Sequence, residues 1–195
     1  MKRIFIIHGW GGNPKEAWLS WLMKGLSSKG IVAYAPTMPN TENPKIDVWI
    51  PFLKKIVGKP DKDTYFVGHS VGCQTIMRYL ETINVKIGGV IFVAGFVNLN
   101  IDAIEEEEKG SSKIAKPWLE TPLNWDKIKK HVNKVIAIFS DNDPYVPLKD
   151  ANIFREKLGA KIIIEKNKGH FTESDVKEIP IVLNELLNLF ENKSK

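Results

Sequence analysis

The apolar run Tyr65-Phe66-Val67 leads directly into Gly68-His69-Ser70-Val71-Gly72, and a helical pattern follows from about Gly72 to Leu80. A serine between two glycines, on a sharp turn from strand to helix, is placed as a nucleophile. Gly68 and Gly72 carry no Cβ, so the backbone can bend tightly around a serine held in a strained conformation. The start of a helix also aims free N–H groups and the positive end of the helix dipole at the oxyanion formed on attack. The backbone N–H of Val71 is the first donor in that position.

A serine hydroxyl attacks poorly near neutral pH without a base, and histidine, with an unperturbed pKa of about 6.5, suits that task. Four histidines compete. His8 ends the first apolar run, and His131 lies among lysines in a polar helical segment. His69 adjoins the serine in a turn that splays neighbouring side chains, so it packs or hydrogen-bonds beneath the site. His170, in Gly169-His170-Phe171, follows the last apolar run and stands last in the order serine, acid, histidine. It is the expected base. The acid belongs at the end of the preceding strand, where Val135 to Phe139 runs into Ser140-Asp141-Asn142-Asp143-Pro144-Tyr145-Val146-Pro147. Asp143 is favoured because Pro144 stiffens the turn that holds it, while Asp141 suits turn capping. At the end of the first strand, His8-Gly9-Trp10-Gly11-Gly12 can supply a second oxyanion donor, from Trp10 or else Gly11. Trp10, His69 and Phe171 are the candidates to border a substrate.

These groups need a scaffold. Ile4 to Ile7 and Ile31 to Ala35 read as strands, and between them Trp18, Trp21, Leu22 and Leu26 recur at helical spacing. Asn13 and Pro14 suit the start of that helix, and Gly30 lies just past its end. A second helix is marked by Ile46, Trp49, Ile50, Leu53 and Ile56. Further buried strands are expected near Val90 to Val93, Val135 to Phe139 and Ile162 to Ile164. A helix from Asp150 to Leu158 should stop at Gly159, and the last helix carries Val182, Leu183, Leu186, Leu187 and Phe190. Six short strands alternating with helices predict an α/β fold: a three-layer α/β/α sandwich around a mostly parallel sheet of about six strands, in a single domain over residues 1–195. Phe96 to Trp125 reads as a long irregular segment bordering the pocket, and the tail Glu191 to Lys195 as frayed.

The four motif segments, in this order, resemble the α/β-hydrolase superfamily over nearly the whole chain. Gly-His-Ser-Val-Gly, Met38-Pro39-Asn40 followed by Trp49, the Asp-Pro-Tyr-Val-Pro of residues 143–147 and Gly169-His170-Phe171 are similar to the small retinoblastoma-binding-protein-nine (YdeN-like) serine hydrolases. That resemblance implies a compact fold without a separate cap domain, a triad mapping onto Ser70, Asp143 and His170, no cofactor, and natural substrates that are poorly defined. The expected reaction is acyl transfer to water, with a small ester or thioester as the leading substrate.

Composition narrows the alternatives. With 195 residues, 43% hydrophobic and 26% charged, the chain can bury one substantial core. No apolar run approaches the roughly 18 to 20 residues of a membrane span, so a cytoplasmic protein off the membrane is expected. One cysteine, Cys73, excludes an internal disulfide and a multi-cysteine zinc site, and no metal is expected. The net charge of +5 comes from dispersed lysines interleaved with acids, a pattern that does not suit nucleic acid. The acidic run Glu105 to Glu108 reads as a solvated turn of helix or a loop. A dinucleotide site fails on spacing, since Pro14 falls where a third glycine is needed. An inactive interaction module on the same fold is the alternative, and absence of ester hydrolysis and probe labelling would favour it. Oligomeric state is not legible.

Overall fold

The computed structural model describes residues 1–15 and 17–191. Of the tail expected to fray, residues 192–195 lie outside them. Among the described residues, six strands run in chain order as β1 (Arg3–Ile7), β2 (Ala33–Tyr34), β3 (Thr64–His69), β4 (Gly89–Val93), β5 (Val135–Ser140) and β6 (Lys161–Glu165). They form one sheet in the order β2-β1-β3-β4-β5-β6, and every pairing is parallel. The helices among the described residues are α1 (Ala17–Ser27), α2 (Ile46–Val57), α3 (Val71–Leu80), α4 (Ile101–Glu107), α5 (Ser111–Glu120), α6 (Trp125–Lys130), α7 (Asp150–Leu158) and α8 (Pro180–Glu191).

Successive strand residues point to opposite faces, and the sequence supplies apolar side chains to both. Phe5, Ile7, Phe66, Phe92, Ala137 and Phe139 join a core with α2, α3 and α7. Ile4, Ile6, Val67, Ile91, Val93 and Ile138 join another with α1 and α8. Each large side chain so enclosed contributes roughly 1.5–3 kcal/mol. The result is the expected three-layer sandwich.

The chain steps outward from β1 to β2 and then crosses back to place β3 on the other side of β1. This reversal opens a crevice at the carboxyl ends of β1 and β3, where ligands of such sheets bind. Registered pairing of Ile7 with Gly68 brings the loop after β1 beside the turn after β3.

Four expectations need correction. Helix α1 begins at Ala17, because Asn13 closes a tight turn instead, its Oδ1 accepting the Lys15 N–H at 2.9 Å. Strand β2 is two residues long and lies at the sheet's edge, with Tyr34 48% exposed. Strand β6 is the opposite edge and is not fully buried, since Ile164 is 49% exposed. The segment from Phe96 to Trp125 is not irregular, for it contains α4 and α5. Asn100 caps α4 through the Ala103 N–H, and Glu105 reaches forward to accept the N–H groups of Gly110 and Ser112 at 2.7 and 2.9 Å. The acidic run thus includes a cap for α5. The Ser112 hydroxyl, together with these two N–H groups, holds the Glu105 carboxyl down at a pKa of about 2.

Candidate active site

Ser70 sits between β3 and α3 with φ 51° and ψ −120°, a region that side chains rarely occupy. The surrounding packing enforces the strain. A Cβ on Gly72 would run into the carbonyl of Ile7, and one on Gly68 would lie 2.9 Å from the Cys73 nitrogen. The turn is tied down by the Ser70 N–H, which donates to the Val93 carbonyl at 3.0 Å.

His170 follows β6 and reaches Ser70 across the strand tips. Its Nε2 lies 2.9 Å from Ser70 Oγ, and its Nδ1 lies 2.8 Å from Asp143 Oδ2. A carboxylate only accepts, so Nδ1 carries the proton and Nε2 presents a lone pair to the serine hydroxyl. The Asp143 side chain is 2% exposed, and its other oxygen accepts the N–H groups of Tyr145 and Val146 at 2.9 and 3.0 Å. Asp141 instead accepts the Asn167 N–H at 2.8 Å.

Sequence reading missed how His170 is held. Ser140 Oγ accepts the Lys168 N–H at 3.0 Å, Asn142 Oδ1 accepts the Gly169 N–H at 2.9 Å, and Asp141 and Asp143 complete the series. Four consecutive residues, from the last of β5 onward, therefore clasp four consecutive residues after β6. Gly169 needs its positive φ of 51°, and a Cβ there would collide with the Asp175 carboxylate. The polar run Ser140-Asp141-Asn142-Asp143 was the available signal.

His69 is buried, and its Nε2 must donate to the carbonyl oxygen of His170 at 2.8 Å. Its ring meets Trp18 edge-on at 5.8 Å and lies 5.2 Å from the His170 ring. Burial, reinforced by the neighbouring His170, drives its pKa down to about 3, so it stays neutral. It borders the cavity, but its donor is committed to the protein. Phe171 is a correction. It has φ 57°, its side chain is fully buried with α1 and α8, and its carbonyl accepts the Trp18 indole N–H at 3.0 Å. The positive φ turns the ring away from the substrate side.

His8 also has its tautomer set. The Met38 N–H donates to Nε2 at 2.9 Å, so Nδ1 donates to the Gly9 carbonyl at 2.7 Å. Burial lowers its pKa. This fixes the loop after β1 against the serine turn, where a Cβ on Gly9 would lie 3.3 Å from Ser70 Cβ. The Gly11 N–H is spent on the Thr41 carbonyl at 2.9 Å, which leaves Trp10 as the donor candidate of that loop. Val71 heads α3, so its N–H has no acceptor within the helix. His131 is buried at the end of α6, its Nδ1 2.9 Å from the Leu80 carbonyl.

A cavity of about 670 Å³ opens over Ser70 and His170. Trp10, Phe96 and Trp118 line it, together with Tyr145 and the α4 residue Ile104. Trp125 packs towards Phe154, ring centroids 6.4 Å apart, and does not reach the cavity. Two further residues frame the wall. Asp150, fully buried, accepts the N–H groups of Val97 and Asn98 and so anchors the loop bearing Phe96. Arg78 donates to the carbonyls of Trp118 and Thr121, both at 2.9 Å, pinning the end of α5.

A parallel sheet with a strained serine on the turn after β3, faced by a histidine after β6, defines an α/β-hydrolase. Residues 4–187 match the family model described as Serine hydrolase, and the chain belongs to that family. It is 28% identical to YdeN of Bacillus subtilis (strain 168) over 199 residues, which covers 100% of this chain and 99% of YdeN. Serine hydrolase RBBP9 of Rattus norvegicus is 29% identical over 181 residues, covering 92% of this chain and 91% of RBBP9. The crystal structure of the B. subtilis ydeN gene product superposes with a TM-score of 0.88 at 27% identity, over 98% of this chain and 100% of that one. Est1E from Butyrivibrio proteoclasticus with ferulic acid bound shares the fold, with a TM-score of 0.75 at 15% identity over 98% of this chain and 90% of Est1E. Among the described residues, no helix is long and apolar enough to cross a membrane.

Proposed function

We propose that this hydrolase cleaves a small carboxylic ester or thioester through an acyl-enzyme on Ser70, with His170 as general base and Asp143 as the acid that orients it. The observation that carries the reading is the unbroken chain of contacts from Asp143 through His170 to Ser70, 2.8 and 2.9 Å long, ending in the cavity. His170 Nε2 takes the hydroxyl proton as Oγ attacks the carbonyl carbon, and Asp143 stabilises the imidazolium that forms. The oxyanion is met by the backbone N–H groups of Val71 and Trp10. One such donor is worth about 3 kcal/mol in the transition state. His170 then returns the proton to the departing alcohol or thiol, and repeats the exchange with water to release the acid. These steps call on side chains and backbone alone, within one catalytic unit.

The test is Ser70→Ala. The variant should fold, lose nearly all p-nitrophenyl ester turnover and lose fluorophosphonate labelling. Labelling that persists in it removes Ser70 from the mechanism.

A further inference from the structure

We infer that the cavity selects esters or thioesters that carry an alkylammonium or quaternary ammonium group a few bonds from the scissile carbonyl. The inference rests on the reading of Ser70 as nucleophile, which defines the cavity independently of its charge.

Four carboxylate residues line that cavity, from three separate parts of the chain. Glu42 follows β2, Glu107 and Glu108 close α4, and Glu173 follows His170. Among the described residues, no lysine or arginine lines it, although the chain carries 28 of them and a net charge of +5. By contrast, a depression beside the amino ends of β5 and β6 is lined by Lys86, Lys129, Lys134 and Lys161, with Glu185 as the one carboxylate among the described residues. The lining of the cavity over Ser70 is therefore locally negative on a chain whose net charge is positive.

The aromatic side chains are arranged to use that charge. Trp10 donates its indole N–H to the backbone carbonyl of Glu42 at 3.0 Å, which holds the ring against the Glu42 backbone beside the loop after β1. The Glu42 carboxylate stands 3.5 Å from where a Cβ on Gly11 would lie. On the opposite wall, Tyr145 presents its ring edge-on to His170 at 5.1 Å and donates its hydroxyl to Glu107. One carboxylate is thereby fixed a single ring away from the base. Aromatic faces attract ammonium groups, and carboxylates at the mouth raise the local concentration of cations. Glu173 shares its charge with Lys177 at 3.8 Å, so Glu42, Glu107 and Glu108 carry most of the field.

A series of acetate esters reads the effect directly: acetylcholine, its neutral carbon isostere 3,3-dimethylbutyl acetate, and the anion 3-acetoxypropanoate. At low salt, kcat/KM for the choline ester should exceed that of the neutral ester about tenfold, and the anion should be slowest. The preference should shrink several-fold in roughly 0.5 M salt, and in the triple variant Glu42→Gln, Glu107→Gln, Glu108→Gln, because solvent-exposed charges are screened. Equal or faster hydrolysis of the neutral ester by the native enzyme overturns the inference and leaves the nucleophile assignment standing. Absence of both turnover and fluorophosphonate labelling in folded protein overturns the two together.

Discussion

His69 couples the stability of this fold to pH, and the size of the coupling follows from its burial. In the unfolded chain its pKa is the ordinary 6.5, and in the folded chain it is about 3. The folded state thus binds fewer protons, so stability falls as pH drops from the unfolded value towards the folded one, and falls no further below that. Each unit of pKa difference is worth about 1.4 kcal/mol, so the loss from about pH 7 to about pH 4 is about 3 kcal/mol for this one ring. Replacing it by glutamine removes the titration while keeping an N–H that can reach the His170 carbonyl. Urea unfolding followed by tryptophan fluorescence, for both proteins at both pH values, measures the difference. His69→Gln is expected to be less stable near neutrality, yet to lose about 3 kcal/mol less on acidification. Carboxylates titrate alike in both proteins and cancel. Parallel losses would refute the claim that a neutral, desolvated imidazole lies beneath the base.

Further outcomes follow from other contacts. Asn142→Ala removes the acceptor for the Gly169 N–H and should lower kcat about tenfold with little change in KM, because the base loses alignment while the cavity wall is untouched. Arg78→Lys cannot span the carbonyls of Trp118 and Thr121 together and should cost about 2 kcal/mol in chemical denaturation. Cys73 is fully buried, and burial raises its pKa, so iodoacetamide should modify it only once the protein is unfolded, as mass spectrometry would show.

The residues proposed to carry the chemistry stood out in the sequence where local geometry alone dictates residue type. A strained turn needs glycines around Ser70, and an aspartate before proline stands in a stiff loop, so both left marks in the sequence. The strands of the sheet centre were equally plain, because burial on both faces demands unbroken apolar runs. Direction was not legible. Phe171 follows the base in the chain, yet a positive φ sends its ring to the far side of the sheet. The clasp of residues 140–143 upon residues 167–170 joins segments whose proximity only the β5–β6 pairing creates. Helix α5 was hidden because Glu105, outside its own apolar pattern, supplies the cap, and Pro117 within it reads as a breaker.

The position of His170 beyond β6 has a consequence for local opening. Ser70 stands at the tip of an interior strand, whereas the histidine lies in the loop past a strand paired along one side only. Margins of a sheet open at lower free energy than its centre. The Ser70–His170 contact is therefore expected to part before the interior does, opposed by the bonds from residues 140–143 to residues 167–170.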